Sequence, residues 1–308
     1  MKHYKDKLII GVDHGYGNIK TANTVMPSGV MEYDSRPDVG SDILFYDGKY
    51  YIVGEGHKEF TAEKTGDKDY YILTLAAIAR ELKRENLTEG DVIIAAGLPL
   101  TWVNGQKRGF AGYLTSNRTV DFSYRDVDYH IGIAGAEIFP QGFSAVFENI
   151  AEFKGANMLC DIGNGTMNVM MINNRRPVAD RLFTEKYGTQ QCAIAVRNAA
   201  MTRHHVEIDE GTVNDILRTG TADIDPDCLA TVIETAKRYT AGIFRKLREH
   251  GYDARVMRLY ILGGGGCLVR NFGEYDKNRV TINGDIRATA KGYEYCCLRR
   301  LERIDRHG

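Results

Sequence analysis

The sequence lacks several features that would place a protein in a familiar class at once. No apolar run is long enough to span a bilayer, and the first residues contain no apolar core of a signal peptide. The formal net charge is only -1, so no overall field attracts nucleic acid or an anionic membrane. These absences predict a cytoplasmic protein that binds no membrane and no nucleic acid directly.

The six cysteines lack the spacing of a zinc site, because no C-x-x-C pair occurs. Five of them lie in apolar runs, where cysteine usually packs as a small buried hydrophobe. For the adjacent Cys296 and Cys297 a redox pair is the alternative to core packing. Core packing is the prediction, and it fits a reducing compartment.

Common catalytic and nucleotide-binding signatures are also missing. There is no G-x-x-x-x-G-K-[ST] phosphate loop and no G-x-S-x-G nucleophile motif. Residues 15–20 lack the third glycine of the dinucleotide fingerprint. His204 and His205 are neighbours and would point to different sides of a helix, which makes them a poor metal pair.

Two segments of the chain share one pattern. Residues 9–20 and 158–170 each read as an apolar strand, an aspartate, an x-Gly-x-Gly turn and a second strand. Glycines in such a turn let backbone N–H groups approach phosphate oxygens without a Cβ in the way. Two such loops facing each other would hold a polyphosphate and its Mg²⁺ from both sides, which predicts a nucleotide site built by duplication.

Three charged side chains of these segments are candidates for chemistry. Asp13 and Asp161 each follow a strand, where a carboxylate can hold Mg²⁺ through its waters. The alternative is that each aspartate only caps its turn. Lys20, on the returning strand, could aim its ammonium at the phosphates, or it could be a solvated surface lysine.

Two further turns are candidate ligand contacts. The glycine run 263–266 follows an apolar strand, and its bare backbone could lie flat against an adenine ring and ribose. The alternative is a flexible turn. Gln141 follows Pro140 and would begin a helix, where it could orient a water for attack on a γ-phosphate. Taken alone, it is a polar residue at a helix start.

Apolar periodicity and turn residues predict two groups of strands, each followed by helices. The predicted helices cover residues 70–85, 106–115, 143–153, 190–201, 210–217, 226–250 and 286–303. The predicted strands cover residues 8–13, 19–25, 43–46, 50–53, 92–96, 119–124, 129–133, 169–172, 177–183 and 258–262. The repeated order predicts two α/β halves with a cleft between them.

Taken together, the motifs resemble those of the actin, sugar kinase and heat-shock-70 ATPase superfamily. Residues 13–20 are similar to its first phosphate motif and residues 161–166 to its second. Residues 262–265 resemble its adenosine motif, and residues 290–293 resemble its final connecting helix. The motifs occur in the family order and frame nearly the whole chain.

Within the superfamily, the likeness is greatest to the plasmid-segregation actins, the ParM/StbA group. Residues 11–20, 139–142 and 186–189 are similar to segments of that group. The best-known plasmid member has Glu where Gln141 stands, whereas eukaryotic actin has Gln, so the resemblance still implies hydrolysis. The compact segment 183–257 implies a reduced outer lobe of the second domain.

The resemblance implies an α/β, actin-like ATPase fold of two duplicated domains around a nucleotide cleft. Domain I is expected over residues 1–155 and 286–308, with a small lobe at about 25–70, and domain II over residues 156–285. The expected catalytic residues are Gln141, Asp161 and Asp13, the two aspartates also holding Mg²⁺ through water. The expected nucleotide contacts are Asp13, Gly15, Tyr16, Gly17, Asn18, Lys20, Asp161, Gly163, Asn164, Gly165, Thr166, Gly188, Gly263, Gly264 and Gly265.

The function that the resemblance implies is an ATP-dependent, filament-forming ATPase that drives plasmid segregation, with ATP and Mg²⁺ as cofactors. Its expected partners are further copies of itself, joined head to tail, and a DNA-binding adaptor protein. Asp215 and Arg218 are candidate ribose contacts. The alternatives are a small-molecule kinase of the same fold, a chaperone-like ATPase and a cytoskeletal filament unrelated to plasmids.

Overall fold

A computed structural model describes residues 1–15, 17–55 and 68–307 of the chain. These residues form two compact units, Met1–Glu148 with Arg287–Gly308, and Asn149–Ile286. The sequence-based domain boundary at 155/156 stays a prediction, and the division by packing falls seven residues earlier. Each unit has its own hydrophobic core.

Helices occur in both units. In the described residues they are α1 (Lys68–Arg84), α2 (Leu100–Leu114), α3 (Thr189–His204), α4 (Glu210–Thr219), α5 (Pro226–Glu249), α6 (Gly265–Phe272) and α7 (Ala288–His307). The start of α5 is as predicted, because the Asp225 carboxylate accepts hydrogen bonds from the N–H groups of Asp227 and Cys228. Pro226 takes the first helical position, where its missing N–H costs nothing.

The strands form two sheets. They are β1 (Lys2–Tyr4), β2 (Lys7–His14), β3 (Asn18–Lys20), β4 (Val25–Pro27), β5 (Val30–Tyr33), β6 (Ile43–Tyr46), β7 (Lys49–Val53), β8 (Glu89–Leu98), β9 (Thr119–Tyr124), β10 (Val127–Pro140), β11 (Ala156–Ile162), β12 (Met167–Asn173), β13 (Arg176–Glu185), β14 (Arg258–Leu262) and β15 (Val280–Ile282). The first sheet, in the first unit, runs β4-β3-β2-β8-β10-β9-β6-β7-β5, with β1 also paired to β2. The second runs β13-β12-β11-β14-β15.

The two sheets contain the same five-strand arrangement. In the first, β2 pairs antiparallel with β3 on one side and parallel with β8 on the other. In the second, β11 pairs antiparallel with β12 and parallel with β14. Each sheet then continues through one further antiparallel strand beyond the hairpin and one further parallel strand on the other side. This repetition is the duplication that the paired motifs predict.

The predicted helix over residues 143–153 is wrong. This segment contains only two short 3₁₀ turns, Phe143–Val146 and Ile150–Glu152. Gly142 has φ 75° and ψ -57°, and the Phe143 N–H donates to the Gln141 carbonyl, which is a γ-turn and not a helix cap. The path of residues 143–153 is then set by packing against α7. Gly292 of α7 has no Cβ, and the Ser144 carbonyl lies where that Cβ would be.

Other predicted bounds need correction. The strand predicted over 129–133 extends through Pro140, because an irregularity between Ile133 and Gly135 lets β10 stay paired with β8. The returning strand predicted over 19–25 is interrupted after Lys20 by a turn that the Thr21 N–H closes onto the Thr24 carbonyl. Helix α2 begins at Leu100, six residues before the predicted start.

The cysteines are unpaired, and all except Cys267 are buried. The adjacent Cys296 and Cys297 lie on the buried face of α7, within a hydrophobic core cluster, so core packing is confirmed for this pair. Burial raises the pKa of the Cys296 thiol to about 11 and that of Cys297 to about 12. Within the described residues, no helix combines the length and hydrophobicity needed to cross a bilayer.

Candidate functional site

The first loop begins at the carboxyl end of β2. Asp13 is the last residue but one of this strand, so it lies at the start of the loop. The Asp13 side chain is buried, and Lys20 stands directly opposite it across the β2–β3 pair. Lys20 Nζ donates to Asp13 Oδ2 over 3.3 Å. The alternation of side chains therefore does aim the ammonium back at the loop, and its role towards phosphate stays a prediction.

Gln141 meets the same carboxylate from a distant part of the chain. Its Nε2 donates to Asp13 Oδ1 over 3.1 Å, although the two residues are 128 positions apart. The backbone N–H of Gln141 donates to the Leu98 carbonyl, and the γ-turn at Gly142 follows at once. The structure thus brings Asp13, Lys20 and Gln141 together, with Gln141 fixed by a tight turn and not by a helix start.

The glycine turn of the first loop is closed by its own backbone. The Gly15 N–H donates to the Asp13 carbonyl over 3.1 Å, and the Gly17 carbonyl accepts from the Ser28 N–H. A Cβ added at Gly15 would lie 2.7 Å from the Asn18 carbonyl oxygen, so a side chain here would push the turn open. Tyr16, also predicted to contact the nucleotide, lies outside the described residues.

His14 is a supporting residue that the sequence reading missed. Its Nε2 lies 2.8 Å from the Thr74 hydroxyl, and that hydroxyl donates its one hydrogen to the Tyr70 carbonyl over 2.6 Å. Nε2 must therefore carry the hydrogen and donate to Thr74. The ring packs edge-on against Tyr70 and Phe110, so the end of β2 is tied to α1 immediately after Asp13.

The second loop has its aspartate at the same strand position as the first, but the residue opposite that aspartate carries no charge. Asp161 is the last residue but one of β11, and the residue opposite it on β12 is Asn168. Asn168 accepts a hydrogen bond from the Thr184 hydroxyl over 2.9 Å. The register position that holds a lysine in the first hairpin therefore holds a neutral amide in the second.

Two backbone N–H groups of the second loop point in a direction that suits an anion. The carbonyls of Gly163 and Asn164 accept hydrogen bonds from the first N–H groups of α3, at Thr189 and Gln190. In a trans peptide the C=O and the following N–H point in opposite directions. The N–H groups of Asn164 and Gly165 therefore both point away from α3, and two adjacent N–H groups on one side of a turn suit an anion.

Gly188 allows this packing. A Cβ at Gly188 would lie 2.1 Å from the Asn164 carbonyl oxygen, so only glycine lets α3 begin against the loop. Its own carbonyl accepts from the Tyr239 hydroxyl over 2.8 Å. At Gly165, by contrast, an added Cβ would meet no atom of the protein within 4 Å.

The glycine run after β14 has two parts. Gly263 has φ 80°, and a Cβ there would lie 2.7 Å from Asp161 Oδ1, whereas one at Gly265 would lie 2.2 Å from the Ile162 side chain. These two glycines are needed for packing against the end of β11. Gly264, between them, would place a Cβ in open space, so it is the glycine of the run best placed to face a ligand.

Residues 11–143 match the family model described as the N-terminal domain of actin-like proteins. Of the solved structures that match nearly the whole chain, three illustrate the likeness. The archaeal actin homologue Ta0583 is 20% identical over 95% of this chain and 99% of its own, with a TM-score of 0.74.

The other two structures are the Alp12 filament and Bacillus thuringiensis ParM with ATP. The Alp12 filament structure is 15% identical over 96% of this chain and 100% of its own, with a TM-score of 0.71. The ParM structure is 14% identical over 97% of this chain and 100% of its own, with a TM-score of 0.68. No curated protein sequence matches the chain.

The chain has an actin-like fold. The resemblance predicted from the ordered motifs is confirmed, together with the α/β fold class. The segments that resemble the two phosphate motifs form the hairpins β2–β3 and β11–β12, and the segment that resembles the adenosine motif forms the turn from β14 into α6. At these identities the solved structures establish the fold of the actin-like chain and leave the roles of its residues as predictions.

The actin-like loops also fit the chemistry of a water-bound magnesium ion. Across the described residues, no group of three acidic, histidine or cysteine side chains could enclose a metal. Mg²⁺ does not require one, because it commonly binds one or two carboxylates with phosphate oxygens and several waters. Asp13 already accepts hydrogen bonds from Lys20 and Gln141, which favours contact with the ion through water.

The candidate ribose residues lie on α4, where Asp215 and Arg218 form an exposed ion pair with a 2.8 Å separation. Helix α4 is held against α6 by Asn271, whose Nδ2 donates to the Arg218 carbonyl over 2.9 Å. Arg218 is thus attached to the helix that begins within the glycine run at residues 263–266. Contact with ribose stays a prediction.

Proposed function

We propose that this chain binds Mg-ATP through both loops, hydrolyses it, and forms filaments that drive plasmid segregation. The observation that carries the proposal is the meeting of Lys20 and Gln141 on the two oxygens of Asp13. A cation, a carboxylate and an amide held together beside a glycine turn are the parts that phosphate binding and water positioning require. The ATP bound to the related ParM fold supports the choice of nucleotide.

Each part of the two loops has a role in this proposal. The first turn, with Gly17 and Asn18, and the second, with Asn164, Gly165 and Thr166, present backbone N–H groups to the phosphates. Gly15 and Gly163 shape these turns, because their N–H groups donate to the carbonyls of Asp13 and Thr166. Lys20 adds a point charge. Gly263, Gly264 and Gly265 form the surface against which the adenosine lies. Mg²⁺, held through water by Asp13 and Asp161, would neutralise charge on the phosphate oxygens.

Gln141 is the residue proposed to orient the attacking water. Its amide can hold a water without acting as a strong base. The γ-turn at Gly142 fixes the backbone behind it, so the side chain is positioned before ATP binds.

Filament formation is the second half of the proposal. The Alp12 structure, which shares the fold, was solved as a filament. Contacts between unlike surfaces of identical subunits do not close on themselves, and they therefore grow into open polymers. We infer that ATP favours this assembly and that a DNA-binding adaptor protein links the filament to its plasmid, which agrees with the net charge of -1.

Sedimentation tests the filament proposal. Purified protein with Mg-ATP is expected to pellet at about 10 to 50 µM, a range suited to weak contacts between subunits, and to return to the supernatant with ADP. Failure to pellet with ATP in this range contradicts filament assembly. A sugar that multiplies ATP turnover in protein that does not assemble would favour the kinase alternative instead.

Gln141→Ala tests the catalytic assignment. The variant is expected to bind Mg-ATP with nearly unchanged affinity, because Lys20 still holds Asp13, and to release phosphate about 100-fold more slowly, because the positioned water is lost. Calorimetry and a phosphate-release assay measure the two effects separately. If the variant loses ATP binding instead, Gln141 is a binding residue and its proposed role is wrong.

A further inference from the structure

A buried carboxylate on α1 lies behind the first loop. Glu81 is 1% exposed, and its neighbours are the turn that follows Lys20. Glu81 Oε1 accepts from the Thr21 hydroxyl and, over 3.0 Å, from the Asn23 backbone N–H. Its Oε2 accepts from Asn23 Nδ2 over 2.8 Å. One side chain thus binds three donors of a single four-residue turn.

The turn itself is closed around Thr21. The Thr21 N–H donates to the Thr24 carbonyl over 3.0 Å, and the Thr24 N–H donates to the Thr21 hydroxyl oxygen over 2.9 Å. Because Thr21 gives its own hydroxyl hydrogen to Glu81, the carboxylate and the turn form one connected network. Movement of the turn would remove three donors from a buried carboxylate, which is costly.

Lys20 depends on this turn for its position. Strand β3 is only three residues long, and it pairs with β2 only at Asp13–Lys20 and His14–Ile19. Lys20 is the last residue of β3 and is also paired with Val25 of β4, so its position depends on the turn that joins these two strands. The turn held by Glu81 begins at the next position along the chain.

We propose that Glu81 is a positioning residue that holds the turn at residues 21–24 and thereby aims the Lys20 ammonium at Asp13 and at bound phosphate. The inference rests on the proposed nucleotide function of the first loop. Glu81 itself touches no nucleotide in this account. Its effect passes through the backbone of Lys20.

A second buried carboxylate lies on the other side of the first hairpin. Glu294 on α7 accepts from the Gly11 N–H over 3.0 Å, so it supports β2 ahead of Asp13 and not the strand that bears Lys20. The main-chain nitrogen of Met1 lies 3.5 Å from Glu81 Oε2 and 3.3 Å from Glu294 Oε2. The two carboxylates therefore support opposite strands of the hairpin.

A double-mutant cycle between Glu81 and Lys20 tests the inference. Glu81→Gln keeps one acceptor oxygen but turns an N–H group towards Asn23, and we expect Mg-ATP to bind about tenfold more weakly. Lys20→Met is expected to weaken ATP at least as much. The variant with both changes should bind ATP no more weakly than Lys20→Met alone, because Glu81 acts only through Lys20. Binding of adenosine, which has no phosphate, should be unchanged by Glu81→Gln.

Asp42→Asn is the matched control, because Asp42 pairs with Arg80, the residue beside Glu81 on α1. It should lower the melting temperature, leave ATP affinity unchanged, and change nothing further when combined with Lys20→Met. Asn23→Ala, at an exposed position, gives a second variant that removes the side-chain donor to Glu81 Oε2 but keeps the backbone donor and alters no buried charge. It should reproduce the Glu81→Gln loss in smaller degree.

The inference would be wrong if the double variant lost ATP affinity by the product of the two single losses, or if Glu81→Gln weakened adenosine as much as ATP. Neither result would contradict ATP binding by the loops. An unaffected Asn23→Ala variant would also contradict it. If Lys20→Met binds ATP normally, or the unchanged protein binds none, the proposed function of the first loop fails, and the inference fails with it.

Discussion

At the scale of single residues, the site is defined by where side chains are missing as much as by those present. Gly188 and Gly265 allow close packing, whereas Gly165 and Gly264 face open space. The sequence could predict that these glycines belong to loops, because glycine runs after apolar strands are typical of phosphate and adenosine turns. It could not separate the packing glycines from the open ones, because that distinction depends on neighbours distant in the chain.

A pair of glycine variants tests this distinction. Gly188→Ala should destabilise the fold by about 1 to 3 kcal/mol, because its Cβ would collide with the Asn164 carbonyl oxygen. Gly165→Ala should leave the unfolding free energy within about 0.5 kcal/mol but weaken ATP binding, because its Cβ would enter the space proposed for phosphate. Urea unfolding and nucleotide titration measure the two effects. Gly112→Ala is the control, because a Cβ at this position on α2 would also enter open space.

If Gly165→Ala bound ATP as well as the unchanged protein, the proposed phosphate position beside the second loop would be wrong. If Gly188→Ala proved as stable as the Gly112→Ala control, the close approach of α3 to the loop would not be needed for the fold.

At the scale of elements, local signals predicted those elements that are stabilised by local interactions. Helix α5 has an aspartate cap and a proline at its first position, so its start could be predicted exactly. The segment after Gln141 follows the surface of α7 instead of its own helical pattern, and nothing local indicates that choice. Glu81 and Glu294 were missed for the same reason, since only tertiary packing buries them.

An ion-pair network links α1 to the strands of the first unit and predicts a pH dependence. Burial alone would raise the pKa of Asp42, but hydrogen bonds from Arg125 and Tyr124 and the charge of Arg80 outweigh it and lower the pKa to about 2. Because this value lies below the usual 3.8, the network stabilises the fold above about pH 4 and loses that effect as the pH falls towards 2.

Asp42→Asn should therefore lower the free energy of unfolding by about 1 to 2 kcal/mol at pH 7. The difference from the unchanged protein should shrink as the pH falls below 4. Urea unfolding at a series of pH values provides the measurement. A difference that stays constant down to pH 2 would show that the network does not depend on the Asp42 charge.

At the scale of the whole molecule, the same strand arrangement occurs in both sheets, with an aspartate at the same position of the leading strand. Asp13 and Asp161 are each the last residue but one, and each faces a residue seven positions later. The sequence could predict this duplication because the two motifs repeat. It could not give the register of the strands, which pairs Asp13 with Lys20 in one hairpin and Asp161 with Asn168 in the other.

The most direct test of the account is the stoichiometry of Mg-ATP binding by calorimetry, in unchanged protein and in single variants of each loop. The account predicts one ATP per chain, weakened at least tenfold both by Lys20→Met in the first loop and by Asp161→Asn in the second. Two independent ATP sites per chain, or one site weakened by only one of the two variants, would contradict it.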